Sequence, residues 1–279
     1  MTASQEMKVP TIGVFDSGFG GLTVLRALIQ KLPRARFAFV GDTARLPYGS
    51  KSRRTIARYA AQSAQFLVRE QGAEYLVIAC NTASALALDA VQQAVPVPVL
   101  GVIEPGAAAA RQASKTNDVL VIATQATVQS EAYSAACRAQ GLRSLEKACP
   151  LLVPLVEEGW TDHPVTEEVI EIYLNELRAE AWARGLNPDT LVLGCTHYPL
   201  LRPLIERAVR PGVKVIDSAE ATAQVAAQVF DGRASGEISD AEQTQIRCFA
   251  TDSVEKFERL GSRFLGRPVG NVELLDLGG

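Results

Sequence analysis

Two cysteines stand where chemistry could be done. Cys80 ends the apolar run of VIACNTAS (77–84), and Cys195 ends that of LVLGCTHYPL (191–200), about 115 residues further on. Each is followed by groups able to hold a ligand: Asn81, Thr82 and Ser84 after the first, Thr196 and His197 after the second. A lone cysteine after a buried strand is more often a small hydrophobe than a reagent. Two in the same local setting suggest a pair. Both are expected at helix N-termini, where the positive end of the helix dipole would lower a thiol pKa from about 8.5. Such a thiol can act as a general base near neutral pH.

Three other stretches could join them. GVFDSGFGGLTV (13–24) reads as a strand, a glycine-rich turn and a helix start, with Asp16 and Ser17 at the strand end. Its glycines 18, 20 and 21 permit a tight backbone whose amides could cradle an anion. A dinucleotide site is the obvious rival, since Asp42 follows the next strand where a ribose-binding acid is expected. However, the third glycine of G-x-G-x-x-G falls on Thr23, and such a site leaves the cysteine pair without a role. GDTARLPYGSKS (41–52) reads as a loop fixed by Pro47 and Gly49, at a sheet edge where loops hold substrate. His163, the other histidine, is expected to be exposed. The C-x-H spacing at Cys195 is no established zinc pattern. A cysteine hydrolase has its Cys, His and Asp present, but GCTHY does not match the nucleophile elbow G-x-nucleophile-x-G.

These residues need a scaffold. Short runs rich in Val, Ile and Leu recur at 11–15, 36–40, 75–79, 97–102, 118–124, 190–194 and 213–217, with helical patterns between them. Runs apolar on both faces indicate parallel strands covered on both sides, hence an α/β, doubly wound architecture. In such sheets the binding crevice lies at the strand C-terminal ends, where both sulfurs fall. The Pro-Gly pair in GVIEPGAAAARQASK is read as a helix break and a first crossing between two domains near residue 102. RPGVKVID near 212 is read as the crossing back. The expected domains are therefore 1–102 plus 213–279, and 103–212, with the thiols facing each other across the cleft between them.

The whole chain narrows the classes. Its 279 residues with 47% hydrophobic content suffice for packed α/β cores. A formal charge of −3 with both signs scattered supports neither nucleic acid nor an anionic membrane as partner. No apolar run approaches the roughly 20 residues of a membrane span, and MTASQEMKVP lacks a signal-peptide pattern, so a cytoplasmic location is expected. Five cysteines without regular spacing point to reduced thiols, with Cys137, Cys149 and Cys248 as packing residues.

Taken in order, VFDSGFGGLTV, GDTARLPYG, ACNTASA, IATQATVQS, CPLLVPLVEEG, GCTHYPLL and IDSAEATA resemble the glutamate racemases of the aspartate/glutamate racemase superfamily. The resemblance covers nearly the whole chain. It implies a cofactor-independent enzyme that interconverts L- and D-glutamate, supplies D-glutamate for peptidoglycan, and is commonly a homodimer. It implies two α/β domains related by pseudo-symmetry with the site between them. It also implies Cys80 and Cys195 as the acid/base pair, assisted by Asp16, His197 and a glutamate of VPLVEEG, taken as Glu157 with Glu158 adjacent. Substrate contacts carry over to Asp16, Ser17, Pro47, Tyr48, Gly49, Asn81, Thr82, Thr124, Thr127, Thr196 and His197. Phe19 replaces the smaller aliphatic residue usual in the first motif, which would reshape packing at the site mouth.

Overall fold

A computed structural model describes residues 9–230, 232–234 and 244–278; the N-terminal arm before Val9, for which the sequence suggests no role, lies outside the described residues. The chain alternates strand and helix. The first sheet takes β1 (Thr11–Asp16), α1 (Leu22–Lys31), β2 (Arg36–Gly41), α2 (Arg53–Arg69), β3 (Tyr75–Ile78), α3 (Asn81–Ala94) and β4 (Val99–Gly101). Helix α4 (Ile103–Ala113) leads to the second sheet, built from β5 (Asp118–Ala123), α5 (Gln125–Gln129), α6 (Ala132–Ala139), β6 (Arg143–Ala148), α7 (Leu152–Glu157), α8 (Pro164–Ala183), β7 (Thr190–Gly194), α9 (Arg202–Ala208) and β8 (Lys214–Asp217). Helix α10 (Ser218–Phe230) then precedes β9 (Ile246–Ala250), α11 (Val254–Leu265) and β10 (Val272–Leu274).

The strand orders are β10-β9-β2-β1-β3-β4 and β6-β5-β7-β8, and the strand pairs run parallel. The second order repeats the β2-β1-β3-β4 portion of the first, so the two sheets are topologically equivalent at their centres. Strands this apolar need cover on both faces. Ile12 and Val14 of β1 pack with Leu22, Leu25 and Leu28 of α1, while Phe15 joins Ile56, Ala60 and Ala64 of α2 on the opposite face. The cluster on the α1 side continues through Leu120, Ile122, Leu191 and Leu193 of the second sheet, so one apolar core spans both.

Four readings of the sequence need correction. Helix α4 runs unbroken through Pro105 and Gly106; the proline sits in the first turn, where a missing N–H costs no intrahelical bond. VQSEAYSAACRAQG (128–141), whose pattern reads as one helix, instead divides between the end of α5 and α6, because Glu131 takes a left-handed φ of 56° between them. Lys214–Asp217 hydrogen-bonds to β7 and extends the second sheet, so the chain returns to the first only beyond it, not near 212. Strands β6, β9 and β10 add to the expected set. Among the described residues no helix is long and apolar enough to cross a membrane.

Candidate active site

In a doubly wound sheet the crevice opens where neighbouring strands send their connections in opposite directions. In the first sheet β1 connects toward β2 on one side and β3 toward β4 on the other, so the crevice lies between the ends of β1 and β3. Asp16 ends β1 and Cys80 follows β3. In the second sheet β5 and β7 part in the same way. Thr124 follows β5 and Cys195 follows β7. The two crevices merge into one cavity of about 460 Å³ whose lining includes both cysteines. That volume suits a small, largely enclosed ligand.

On the first wall, Cys80 is the N-cap of α3, its Sγ accepting from the Ala83 N–H at 3.4 Å and lying 3.5 Å from Ser17 Oγ. The cap favours a thiolate but does not prevail. Burial and then the neighbouring Asp16 carboxylate push it up to about 12, outweighing the bonds from Ser17 and Ala83. Asp16 is itself raised by burial, even though the His197 charge and the backbone N–H groups of Gly18 and Gly21 oppose the shift. Its Oδ2 accepts from the Gly18 N–H at 2.9 Å, while Oδ1 has no partner within the protein.

On the second wall, Cys195 caps no α-helix; it enters a turn that leads through a 3-10 segment, Tyr198–Leu201, into α9. Its polar partner is a side chain. His197 Nδ1 lies 3.9 Å from Cys195 Sγ, and Nε2 lies 3.2 Å from Glu157 Oε1. Burial opposes a charge on this imidazole, but the hydrogen bonds and charges of Cys195 and Glu157 prevail and push it up to about 10. Glu158 also lines the cavity, but Glu157 makes the contact with His197. His163 is half-buried rather than exposed; it stacks on Trp160 and caps α8.

The glycine-rich turn points its Gly18 amide onto the Asp16 carboxylate and also serves close approach. A Cβ on Gly20 would meet Thr196 Oγ1 at 2.4 Å and His197 Nδ1 at 2.6 Å. Thr23 Oγ1 donates to the Thr196 carbonyl across the same contact at 3.1 Å. Asp42 is no ribose ligand here, since Tyr48 and Thr251 donate to its two oxygens at 2.6 and 2.9 Å.

Ser17, Pro47, Tyr48, Gly49, Asn81, Thr82, Thr124 and Thr196 all line the cavity. Tyr48 does so with its hydroxyl already committed to Asp42. Thr127 stands behind the wall, fully buried, with its hydroxyl 2.9 Å from that of Thr124 and 3.3 Å from that of Thr82. Thr82 and Thr124 bond each other at 3.0 Å, tying the two walls together. Nothing in the sequence singled out Gln125, Val153 and Pro154 as lining residues, although all three lie inside quoted motifs. Phe19 is buried between Phe257 and Phe264, and Phe264 meets His197 edge-to-face at 5.0 Å. Among the described residues no group of three or more His, Cys, Asp or Glu side chains is arranged to hold a metal ion.

A merged crevice carrying ionisable groups on both walls is the site of an α/β enzyme for a small substrate. The model of the Asp/Glu/Hydantoin racemase family matches residues 7–226. The chain belongs to that family, as an enzyme of its glutamate racemase group. It is 54% identical to the glutamate racemase of Koribacter versatilis over 97% of this chain and 98% of that protein. A glutamate racemase isoform of Bacillus anthracis superposes with a TM-score of 0.86 at 37% identity, covering 96% of this chain and 98% of that one. The Francisella tularensis enzyme, solved in complex with D-glutamate, gives 0.83 at 35% identity over 97% and 98%.

Proposed function

We propose that the protein interconverts L- and D-glutamate by a two-base mechanism in which Cys80 and Cys195 act on opposite faces of the α-carbon. One observation carries the reading: the two thiols line one cavity from two different sheets, each with its own acid/base neighbour. Inversion requires a base on one face and an acid on the other. The high Cys80 pKa keeps a proton on that sulfur, which suits an acid, and the His197 imidazole lies 3.9 Å from the Cys195 sulfur on the other wall. For L-glutamate the assignment makes Cys195 the base and Cys80 the acid. D-glutamate needs the reverse distribution, Cys80 ionised and Cys195 protonated, and the substrate ammonium entering the cavity offsets part of the cost of ionising Cys80.

General acid–base catalysis contributes about 10²–10⁴-fold, roughly 3–5 kcal/mol, too little alone for so weak a carbon acid. Hydrogen-bond donors preorganised in a closed site must stabilise the carbanionic state. The hydroxyls of Ser17, Thr82, Thr124 and Thr196 and the unpartnered Nδ2 of Asn81 surround the cavity for that purpose.

In the same reading the enzyme works in the cytoplasm as a homodimer, needs neither metal nor pyridoxal phosphate, and supplies D-glutamate for peptidoglycan; these points rest on the resemblance. L-glutamate, L-aspartate and a hydantoin are incubated with purified protein, reductant and EDTA, then separated by chiral chromatography. D-glutamate should accumulate, and glutamate should be preferred over aspartate. The Cys195–His197–Glu157 chain also has the connectivity of a hydrolase triad. Ammonia release without inversion would support that reading, and tight binding with unchanged configuration would support a non-catalytic module.

A further inference from the structure

Tyr133 is fully buried in α6, on the second-sheet side, yet its hydroxyl donates to Asn81 Oδ1 at 2.8 Å at the start of α3 on the first. Asn81 is 3% exposed and lines the cavity, and its Nδ2 has no partner in the protein. An amide presents either its oxygen or its nitrogen, and the two choices recognise opposite ligands. Holding Oδ1 on a hydroxyl donor leaves two N–H donors for the cavity, the arrangement that recognises a carboxylate.

The surroundings are built to admit this phenol. A Cβ on Gly194 would meet Tyr133 Cε2 at 2.9 Å, and one on Gly106 would meet the Tyr133 oxygen at 3.3 Å. Gly106 lies inside α4, where glycine costs a helix about 0.5–1 kcal/mol relative to alanine. Burial raises the Tyr133 pKa, so the phenol keeps its proton and remains a donor. That proton goes to Asn81 Oδ1.

We propose that Tyr133 is a positioning residue for the racemase reaction: its hydroxyl locks the Asn81 amide with Nδ2 toward the cavity, so that Asn81 receives a substrate carboxylate and not the ammonium. The proposal rests on the glutamate reading above.

The test is a double-mutant cycle with Tyr133→Phe and Asn81→Ala, measuring kcat and KM for L- and D-glutamate alongside the wild-type enzyme. Tyr133→Phe keeps the ring and should raise KM about tenfold for both enantiomers, with kcat within about threefold. In the Asn81→Ala background the same change should cost less than twofold, because the amide it orients is gone. Gly106→Ala sets a methyl 3.3 Å from the Tyr133 oxygen; displacing the phenol should produce a smaller KM rise of the same kind, and this variant keeps the idea testable should Tyr133→Phe fold poorly. Losses that simply multiply in the double mutant, or unchanged KM in both Tyr133→Phe and Gly106→Ala, overturn the proposal. A wild-type protein inert toward glutamate would instead strike at the underlying reading, and the control reports that separately.

Discussion

His197 Nε2 lies 3.2 Å from Glu157 Oε1 in a site where the imidazole is mostly buried, and this contact joins α7 to the turn after β7. The carboxylate and the Cys195 sulfur on the other ring nitrogen explain how a buried histidine keeps its charge. The raised pKa sets the sign of its linkage. Stabilisation from this charge is fully present below the ordinary value of about 6.5 and is lost as pH rises through about 10.

The first prediction follows from that contact. With only two histidines in the chain, imidazole NMR resolves His197 once His163→Gln removes the other signal. Its titration midpoint should lie well above 6.5, near 10, and Glu157→Gln should lower it by at least about one unit. A wild-type midpoint near 6.5 would mean that the imidazole is neutral in the working enzyme, and the assignment of a cation beside Cys195 would fail.

What the sequence disclosed depended on whether the signal was local. Strands β1, β3, β5 and β7 were legible because each is apolar on both faces, and their ends delivered Asp16, Cys80, Thr124 and Cys195 to the cavity. Strand β6, RSLEKA, was not legible, since at a sheet edge most of its side chains are only partly buried and stay polar. The strand Lys214–Asp217 was visible, but nothing in VKVID says which sheet it joins; that depends on pairing with β7. Contacts between sheets were hidden for the same reason. Tyr133 with Asn81, Thr23 with Thr196 and Thr82 with Thr124 have no mark in sequence spacing. The Cys80 pKa was read with the wrong sign because the helix cap is local, whereas the burial that outweighs it is a property of the assembled cleft.

Gly20 offers a steric test of that assembly. Gly20→Ala places a methyl 2.4 Å from Thr196 Oγ1 and 2.6 Å from His197 Nδ1. Neither position can be shared, so the Thr196 and His197 side chains must move from their places. Because small misplacements of reacting groups are costly, kcat/KM should fall about 10²-fold while the protein stays folded. Full activity in Gly20→Ala would show that the glycine turn does not press on the second wall.

Cys80 should be a sluggish nucleophile in the ligand-free enzyme. With its pKa pushed up from 9.0 to about 12, the thiolate fraction at pH 8 is lower by about three orders of magnitude than for an ordinary thiol. Alkylation by iodoacetamide, followed by peptide mass mapping, should be slow at Cys80. Its rate should still climb about tenfold per pH unit beyond pH 10. A rate that levels off by pH 9 would contradict the dominance of burial and Asp16 over the helix cap.

The last prediction concerns which sulfur serves which face. By the resemblance, Cys195 removes the α-proton of L-glutamate and Cys80 that of D-glutamate. Each thiol is the base in one direction and the acid in the other, so Cys80→Ala or Cys195→Ala alone should abolish racemisation both ways. Asp16→Asn and His197→Asn should be milder and affect kcat unequally in the two directions. The ratio of the two kcat/KM values must nevertheless stay at the equilibrium constant, which is unity for enantiomers. In heavy water the paired thiols should deliver solvent deuterium to the inverted product on first turnover, while unreacted substrate stays largely protiated at early times. A single mobile base would carry the original hydrogen across, and the product would retain it. Undiminished racemisation by Cys80→Ala, measured by chiral chromatography of the folded variant, would remove Cys80 from the mechanism and leave it as the cap of α3.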